Sequence, residues 1–502
     1  MATNKLQLLS AGEIAQKMPI LRKTRDRYTG AEKALLVPVI PVGPRSISMQ
    51  IFHFLFCFSL LTSSFDLALV VNVGGTVRAS QVALLVVCFG GMIVMQQKLR
   101  FISPIGFPAL VVWGIVQTLF LPFSSFLIKG VTYNIWLWYN IVALACVVQL
   151  YYRSGYTYSL VRFYVGSFGA IAVFGLYQFV APLTGLPAFL VTQFWLPHLA
   201  RINGFSYEPS YFATYMLLGW VTLLHLLIAR VEGFSSSTWK VIFAIETIAL
   251  VLSSSRTAWL FMSLEAALRI IPVVSSALLL QLKRLSVGKW RVNRWQLLVF
   301  PLGILMFMVI PRIDMILRDY NLLFLLSGTG LQGTTAHSVD DRAGAFSDTL
   351  QVFRENPFIG RSLGGVSPSI AALHGFHPQT MEESKEYEGL SVFAEVLASS
   401  GLIGIIPFLI FLYQTTVFPR KLGKLFRKDA FGQMLLALCR AMTYGWLILQ
   451  LNQNILRPYV WLHLTIICVV AANLEFAKRS MQMQPMLWNV KPACDMTLSP
   501  ES

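Results

Sequence analysis

The sequence predicts an all-α polytopic membrane protein with about twelve transmembrane helices. Of its 502 residues, 56% are hydrophobic and only 13% are charged. Apolar runs long enough to cross a bilayer recur along the chain, and a soluble domain has no need of so many. Basic residues gather in alternate connections between these runs, as expected of loops that stay on the cytoplasmic side.

The predicted elements follow one another from a polar start to a polar end. Residues 1–46 form a basic cytoplasmic segment, so the first span is expected to act as an uncleaved anchor. Spans one to nine occupy 47–312, spans ten to twelve occupy 389–475, and a cytoplasmic tail covers 476–502. The individual spans are expected at 47–65, 79–97, 103–123, 132–152, 159–182, 209–229, 239–254, 257–275, 295–312, 389–415, 431–451 and 458–475.

Residues 313–388 form the one long connection between the predicted spans, and it faces outward when the N-terminus lies inside. A polar loop of this length in a compact membrane protein is usually either functional or disordered. The spacing of its apolar residues predicts a helix over 340–356 and a shorter one near 367–374. We therefore expect a partly helical outer loop between spans nine and ten.

Arginine and lysine are distributed differently on the two predicted sides. The outer side carries nine Arg and two Lys, Lys129 and Lys385, whereas the inner side carries sixteen Arg and thirteen Lys. Topology gives no reason to prefer guanidinium, but a site that binds phosphate oxygens with a planar fork of donors does. The sequence thus predicts an outward-facing phosphate site with Arg201, Arg256 and Arg342 as candidates. The net charge of +17 follows from the inner loops, so nucleic acid is not an expected partner.

The segment from Arg201 to Ala213 opens the sixth span. Glu208 precedes Pro209, a residue suited to the first turn of a helix. The N–H groups that follow, at Ser210 and Tyr211, lie at the positive end of the helix dipole and can bind a phosphate oxygen. The alternative is an ordinary helix start with an interfacial arginine.

Two further arginines occupy turns or loop helices. Arg256 follows three serines at a sharp turn between two short spans, where it either sits in a recess or extends to the interface. Arg342 lies on the predicted loop helix, where pairing with Asp341 is the alternative to function. Arg361 follows it in a glycine-rich turn.

Other polar residues near the predicted outer face are candidates for proton transfer or sugar binding. His377, on the loop, can deprotonate a hydroxyl when its imidazole is neutral, although most loop histidines are simply solvated. Glu395 lies near the outer boundary, where a carboxylate is costly unless it is paired or wet. Residues 452–454 and Arg457 either hydrogen-bond sugar hydroxyls or form a plain polar turn. The remaining carboxylates of interest are Asp66, Glu246 and Glu265, all predicted within or beside spans.

The chain has no Walker-type phosphate loop, no acidic metal-binding pair and no zinc spacing, and its six cysteines show no paired spacing. We therefore expect no metal and no cofactor. Any chemistry would use a substrate that is already activated.

Taken in order, these motifs resemble the O-antigen polymerase/ligase family of the Wzy and WaaL type. The resemblance covers roughly residues 190–410, whereas the first five spans match only in hydropathy. The matching signatures are Arg201…Gly204…Glu208-Pro209-Ser210, Ser255-Arg256-Thr257, Arg342…Asn356-Pro357-Phe358-Ile359-Gly360…Gly364 and Glu395…Gly401-Leu402-Ile403-Gly404.

The resemblance implies an inverting, metal-independent glycosyltransferase of the bacterial inner membrane, GT-C-like in fold, with the long loop between spans nine and ten at the periplasmic face. Its donor would be a glycan on undecaprenyl pyrophosphate, and a chain-length regulator protein would be a further partner. By analogy Arg201, Arg256 and Arg342 bind the pyrophosphate leaving group, whose developing charge they neutralise. The remaining site residues under this interpretation are His377 as a catalytic group, with Glu208, Ser210, Tyr211, Glu388 and Arg361 in substrate binding.

One departure from the family pattern favours a polymerase over a ligase. Ligases place a histidine at the position that corresponds here to Leu390, beside Gly389 and Glu388. The acceptor base is therefore His377, Glu388 by position, or no side chain at all. The rivals are an O-antigen ligase, a protein oligosaccharyltransferase and a lipid-linked oligosaccharide flippase. The flippase is disfavoured because the two halves of the chain do not correspond.

Overall fold

The computed structural model describes residues 47–72, 76–98, 101–196, 199–285, 332–333, 339–450 and 455–488. The basic segment 1–46, the predicted ninth span at 295–312 and the tail beyond 488 lie outside the described residues. The count of twelve spans therefore stays a prediction.

The described chain is mostly helical, with helix bounds close to the predicted spans. The helices, numbered in chain order, are α1 (Ile47–Leu61), α2 (Ala79–Lys98), α3 (Phe107–Leu119), α4 (Leu127–Tyr151), α5 (Thr157–Thr184), α6 (Pro209–Ile228), α7 (Ser237–Leu252), α8 (Arg256–Leu285), α9 (Val339–Glu355), α10 (Val366–Leu373), α11 (Val392–Thr416), α12 (Phe418–Leu425), α13 (Ala430–Ile448) and α14 (Pro458–Trp488). Helices α9 and α10 lie where the sequence predicts helices in the long loop.

Six stretches of the described chain are long and apolar enough to cross a membrane, and they make this a membrane-embedded helical protein. They are Ala79–Gln97, Leu127–Tyr151, Thr157–Thr184, Pro209–Ile228, Val392–Leu425 and Pro458–Met481. Helices α1 and α3 are apolar but shorter.

Helix α14 lies at the centre of the helical bundle and α2 at its rim. In α14, 89% of the membrane-length window is buried, against 39% in α2. Small residues allow the helices around this centre to approach closely. Gly219 of α6 lies against the ring of Phe168 on α5, and any larger residue there would have to displace that ring.

Two small antiparallel sheets depart from the all-α prediction. Strands β1 (Val70–Asn72) and β2 (Thr76–Arg78) form a hairpin, and β3 (Gln193–Leu196) pairs with β4 (Leu199–Ala200) and β5 (Gln332–Gly333). Strands of two to four residues are too short to show an alternating pattern in the sequence. These strands position Arg78, the last residue of β2, and Arg201, which follows β4.

The segment after α9 docks against a kink in α11 through two glycines. Gly401 has φ 59° and ψ −164°, a conformation essentially restricted to glycine. A Cβ atom on Gly401 would lie 2.3 Å from the carbonyl oxygen of Phe358, and one on Gly360 would lie 2.5 Å from the carbonyl carbon of Ser399. The loop and α11 thus meet backbone to backbone.

We expect Gly401→Ala to destabilise the protein by about 2 kcal/mol or more, since it adds a steric clash to backbone strain. Thermal unfolding in detergent, followed by tryptophan fluorescence, measures this change. Gly185→Ala is the control: Gly185 also has a positive φ, 73°, but none of the described residues lies within 4 Å of an added Cβ. Equal losses in the two variants would contradict the backbone-to-backbone docking.

Candidate functional site

Arg201 lies between β4 and α6, and its guanidinium braces a neighbouring turn. Its Nε donates to the carbonyl oxygen of Ser253 at 3.3 Å, and its Nη2 donates to that of Ser254 at 3.1 Å. Its Nη1 donates to the side chain of Gln193 at 2.7 Å. The side chain is buried. Guanidinium donors that were predicted to bind phosphate therefore form hydrogen bonds within the protein instead.

The braced turn leads into Arg256, the first residue of α8. Ser254 has a φ of 52°, which is uncommon outside glycine, and the bond from Arg201 to its carbonyl supports this strained conformation. Arg256 itself is half-buried, as is Arg342 on the first turns of α9. The three arginines therefore come from three separate segments of backbone.

The charges of Arg256 and Arg342 both act on Arg201. Burial lowers the pKa of Arg201 to about 10, with repulsion from Arg256 and Arg342 in the same direction and attraction from Glu208 opposing it. Arg256 and Arg342 therefore each lie within electrostatic range of Arg201. Arg201 stays protonated near neutral pH, and an anion bound beside it would relieve the repulsion.

The start of α6 differs from the prediction in one respect. Its first residue is Pro209, and Ser210 donates its hydroxyl to Glu208 Oε2 at 2.9 Å. The N–H of Tyr211, however, bonds to the carbonyl oxygen of Glu208 at 3.1 Å. The Tyr211 N–H, which was predicted to bind a phosphate oxygen, is therefore already used within this first turn.

The segment that carries Arg201 is set back from the C-terminal end of α5. Gly204 packs beside Ile171, and Ile202 packs on Gly175. Because α5 continues to Thr184, these contacts lie roughly 14 to 20 Å from its end at 1.5 Å per residue. The arginine site is thus set back below the tip of that helix.

An ion-pair network that the sequence did not reveal adjoins the start of α6. Asp66 was predicted among the mid-span carboxylates, but α1 ends at Leu61 and Asp66 lies after the helix. Arg78 donates to Asp66 Oδ1 at 2.7 Å, and Arg457 Nη1 lies 3.1 Å from both carboxylate oxygens. The Arg457 guanidinium also lies 4.4 Å from the ring centre of Tyr211.

Ion pairing keeps Asp66 and Arg457 charged although both side chains are largely buried. Burial alone would raise the pKa of Asp66, but attraction to Arg457 and Arg78 outweighs it and holds the pKa below its usual value. Burial lowers the pKa of Arg457, but the combined attraction of Asp66, Tyr211, Tyr459 and Glu388 outweighs burial, and the net effect is a raised pKa. Both groups are therefore charged at neutral pH. Residues 452–454, predicted to lie beside Arg457, are outside the described part of the chain.

A buried lysine is the second feature that sequence analysis missed. Lys129, at the start of α4, is only 1% exposed, and its Nζ donates to the hydroxyls of Ser367 at 2.5 Å and Ser384 at 2.8 Å. The charges of Glu388 and Glu395 act on it. The one available signal was that Lys129 is among the few lysines on the predicted outer side.

The remaining predicted site residues lie on the loop. His377 is exposed, on the surface of the segment after α10. Arg361 lies 3.8 Å from Glu355, and with the Asn356 amide oxygen facing it, its guanidinium donates to that oxygen at 2.9 and 3.0 Å. Arg361 is thus engaged in the loop turn. Leu390 is half-buried, with a φ of 52°.

The two carboxylates predicted within spans do not belong to the arginine site. Glu265 on α8 pairs with Arg269 at 2.6 Å and His225 at 3.1 Å, and Tyr444 donates to it. Glu246 on α7 is fully buried, and neither carboxylate oxygen has a hydrogen-bond partner among the described residues.

No protein-family model and no curated protein matches this sequence. The resemblance to the polymerase/ligase family therefore rests on the motifs alone. Within the described ranges, no cluster of three or more His, Cys, Asp or Glu side chains is placed to hold a metal ion.

What the described geometry offers chemically is a set of cations for an anion. The guanidinium groups at the start of α8 and on α9 both act on Arg201, which lies before α6, and Glu208 is the carboxylate that acts on Arg201. Guanidinium groups match the oxygens of phosphate esters in geometry and in charge.

Proposed function

We propose that this chain is a metal-independent inverting glycosyltransferase of the bacterial inner membrane. It joins undecaprenyl-pyrophosphate-linked repeat units into a surface polysaccharide, whether O-antigen, capsule or exopolysaccharide. Under this proposal the chain crosses the membrane about twelve times, with both termini cytoplasmic and the site at the periplasmic face.

The observation that carries the proposal is that Arg256 and Arg342 both lie within electrostatic range of Arg201. Their segments are far apart in sequence, so their proximity needs a reason beyond local structure. A diphosphate supplies one, because it is doubly anionic and presents several oxygens to planar donors. As the glycosidic bond breaks, the charge that develops on the leaving diphosphate is stabilised by these cations.

The three arginines have different tasks in this mechanism. Arg201 contributes charge and holds the Ser253–Ser254 turn, because three of its nitrogens already donate within the protein. Arg256 and Arg342 are half-buried and come from the turn and the loop helix. They are the groups that contact the diphosphate under this proposal.

A polymerase is favoured over a ligase by the residue at position 390. Leu390 carries no titratable group, so a base that acts from this position in the ligases has no counterpart here. In the polymerase reaction the growing glycan leaves its carrier and joins the next carrier-linked repeat unit.

Lipid profiling of a deletion strain tests the proposal. We expect the strain to accumulate undecaprenyl pyrophosphate that carries one repeat unit. Long carrier-linked chains would instead indicate a ligase. Repeat units confined to the cytoplasmic leaflet would indicate a flippase and contradict a transferase, and a normal profile with normal polymer would contradict every version of the proposal. Complementation with the intact chain is the control.

A further inference from the structure

The turn that carries Glu388 is held firmly in place by the surrounding helices. Gly389 packs against Thr349 of α9, where an added Cβ would lie 2.4 Å from the threonine Oγ1. Leu390 adopts a left-handed φ of 52°, which is rare for a branched residue. The next residues are fixed to the end of α13, since the N–H of Val392 bonds to the carbonyl oxygen of Leu449 at 3.2 Å. Strain retained by such contacts is typical of positions that must present a side chain accurately.

The Glu388 carboxylate is also fixed by its side-chain neighbours. The hydroxyl of Tyr133 on α4 donates to Glu388 Oε1 at 3.0 Å. Lys129 lies one helical turn before Tyr133, with its Nζ 5.3 Å from the tyrosine ring centre. The two serine hydroxyls that accept from Lys129 keep this ammonium buried in one position. A hydroxyl donor and a nearby ammonium group together hold the carboxylate in one orientation.

Tyr211 connects this carboxylate to the arginine site. The charges of Glu208 and of Glu388 both act on the Tyr211 phenol, and Arg457 lies over its ring. Glu208 in turn acts on Arg201. Electrostatic interactions thus link Arg201 to Glu208, and Tyr211 to both Glu208 and Glu388. A substrate placed along Tyr211 has its diphosphate near the arginines and the attacking sugar near Glu388.

We infer that Glu388 is the base that accepts the proton of the acceptor hydroxyl, with Tyr133 and Lys129 as positioning residues. This inference rests on the proposed function. The acceptor oxygen forms a bond to the anomeric carbon of the donor, and the bond from that carbon to the diphosphate oxygen breaks. The electron pair leaves on the diphosphate, and the hydroxyl proton passes to Glu388 and then to water. His377, the other candidate, is exposed on the loop surface.

Several titratable or charged groups surround Glu388 and contribute to any pH dependence. They are Lys129 and Tyr133 on α4, Tyr211 on α6, Glu395 on α11 and Arg457 before α14. Glu395 is buried, whereas Glu388 is only half-buried and so remains reachable by an acceptor.

The test uses the full chain in nanodiscs, with carrier-linked glycan extracted from the deletion strain as substrate. Glu388→Gln keeps the shape of the side chain but cannot accept a proton, so we expect kcat to fall roughly a hundredfold or more. Binding of undecaprenyl diphosphate, the probe for the arginine site, should stay at the level of the unmodified chain. Glu388→Asp should recover part of the rate. Glu386→Gln is the matched control, because Glu386 is an exposed glutamate in the same segment.

Tyr133→Phe tests the positioning role. It removes the hydroxyl that donates to Glu388, so we expect kcat to fall severalfold and the pH–rate profile to shift, with KM for the donor little changed. A purely structural tyrosine would lower thermal stability without moving the pH profile.

Failure of this inference is distinguishable from failure of the proposed function. If the unmodified chain polymerises the glycan but Glu388→Gln retains more than half of its rate, Glu388 is not the base and the transferase proposal stands. If Glu388→Gln loses probe binding together with transfer, its role is structural and the inference is overturned. If the unmodified chain forms no product at all, both the proposed function and the role of Glu388 are contradicted.

Discussion

Replacing Arg256 or Arg342 with alanine is expected to lower polymer formation by about 10²–10³-fold each. Removing one preorganised donor from developing negative charge typically has an effect of this size. Polymer length and yield in complemented deletion cells, read on gels of extracted polysaccharide, provide the measurement. Arg201→Ala should be at least as damaging, because it also frees the Ser253–Ser254 turn.

Lysine at the same positions separates charge from geometry. An ammonium supplies charge but cannot reproduce a planar fork, so we expect partial rescue at Arg256 and Arg342. At Arg201 rescue should be poorer, since lysine cannot replace three directed bonds. Arg354→Ala is the matched control, because Arg354 is exposed on the same helix as Arg342. Full activity of all three alanine variants would refute the phosphate site.

Asp66→Asn is expected to destabilise the fold by about 3 kcal/mol. The variant leaves the charges of Arg457 and Arg78 largely buried without their carboxylate, and an uncompensated buried charge is costly. Chemical unfolding in detergent, followed by tryptophan fluorescence, measures the loss. Asp348→Asn is the control: its partner His374 is half exposed, so a change below about 1 kcal/mol is expected.

The same carboxylate predicts a pH dependence of stability. The pKa of Asp66 is held below its ordinary value of 3.8 in the folded protein. Its contribution is therefore complete above that ordinary pKa and is lost as pH falls through the lower folded value. Asp66→Asn should remove this acid-limb loss. Adding Arg457→Gln to it should recover part of the stability, and failure to recover any would argue against the ion pair.

The helices were largely predictable because their signal is local. Apolar runs give α2, α4, α5 and α6 within about five residues of their observed bounds, and they give the start of α14, which continues past the predicted end at 475 to Trp488. The spacing of apolar residues, with proline and glycine residues at the helix ends, also predicted α9 and α10. Strands β1 to β5 could not be predicted, because two to four residues carry no periodicity and their pairing depends on distant segments.

The charged residues of the candidate site could be proposed from the sequence, but the groups to which they hydrogen-bond could not. The excess of arginine on one side indicated Arg201, Arg256 and Arg342, and their order in the chain indicated a family. Nothing in the local sequence shows that Arg201 donates hydrogen bonds to the carbonyl oxygens of the Ser253–Ser254 turn. That outcome depends on how α5 to α8 pack.

Long-range pairing explains the other omissions. Asp66 and Arg457 are nearly four hundred residues apart in sequence and meet only in the folded bundle. Lys129 meets Ser367 and Ser384 in the same way. A charged residue beside a span is recognisable from sequence, but its partner is not.

The recessed position of Arg201 also bears on how molecules of different polarity would travel to it. Toward its C-terminal end and just beyond, α5 exposes Val180, Leu183, Leu186 and Phe189. This apolar flank suits an isoprenoid tail, whereas a hydrated sugar would lose favourable contacts with water there. Under the proposed function, the lipid tail and the glycan would approach the site from different sides, and the growing glycan would not block entry of the next lipid-linked unit.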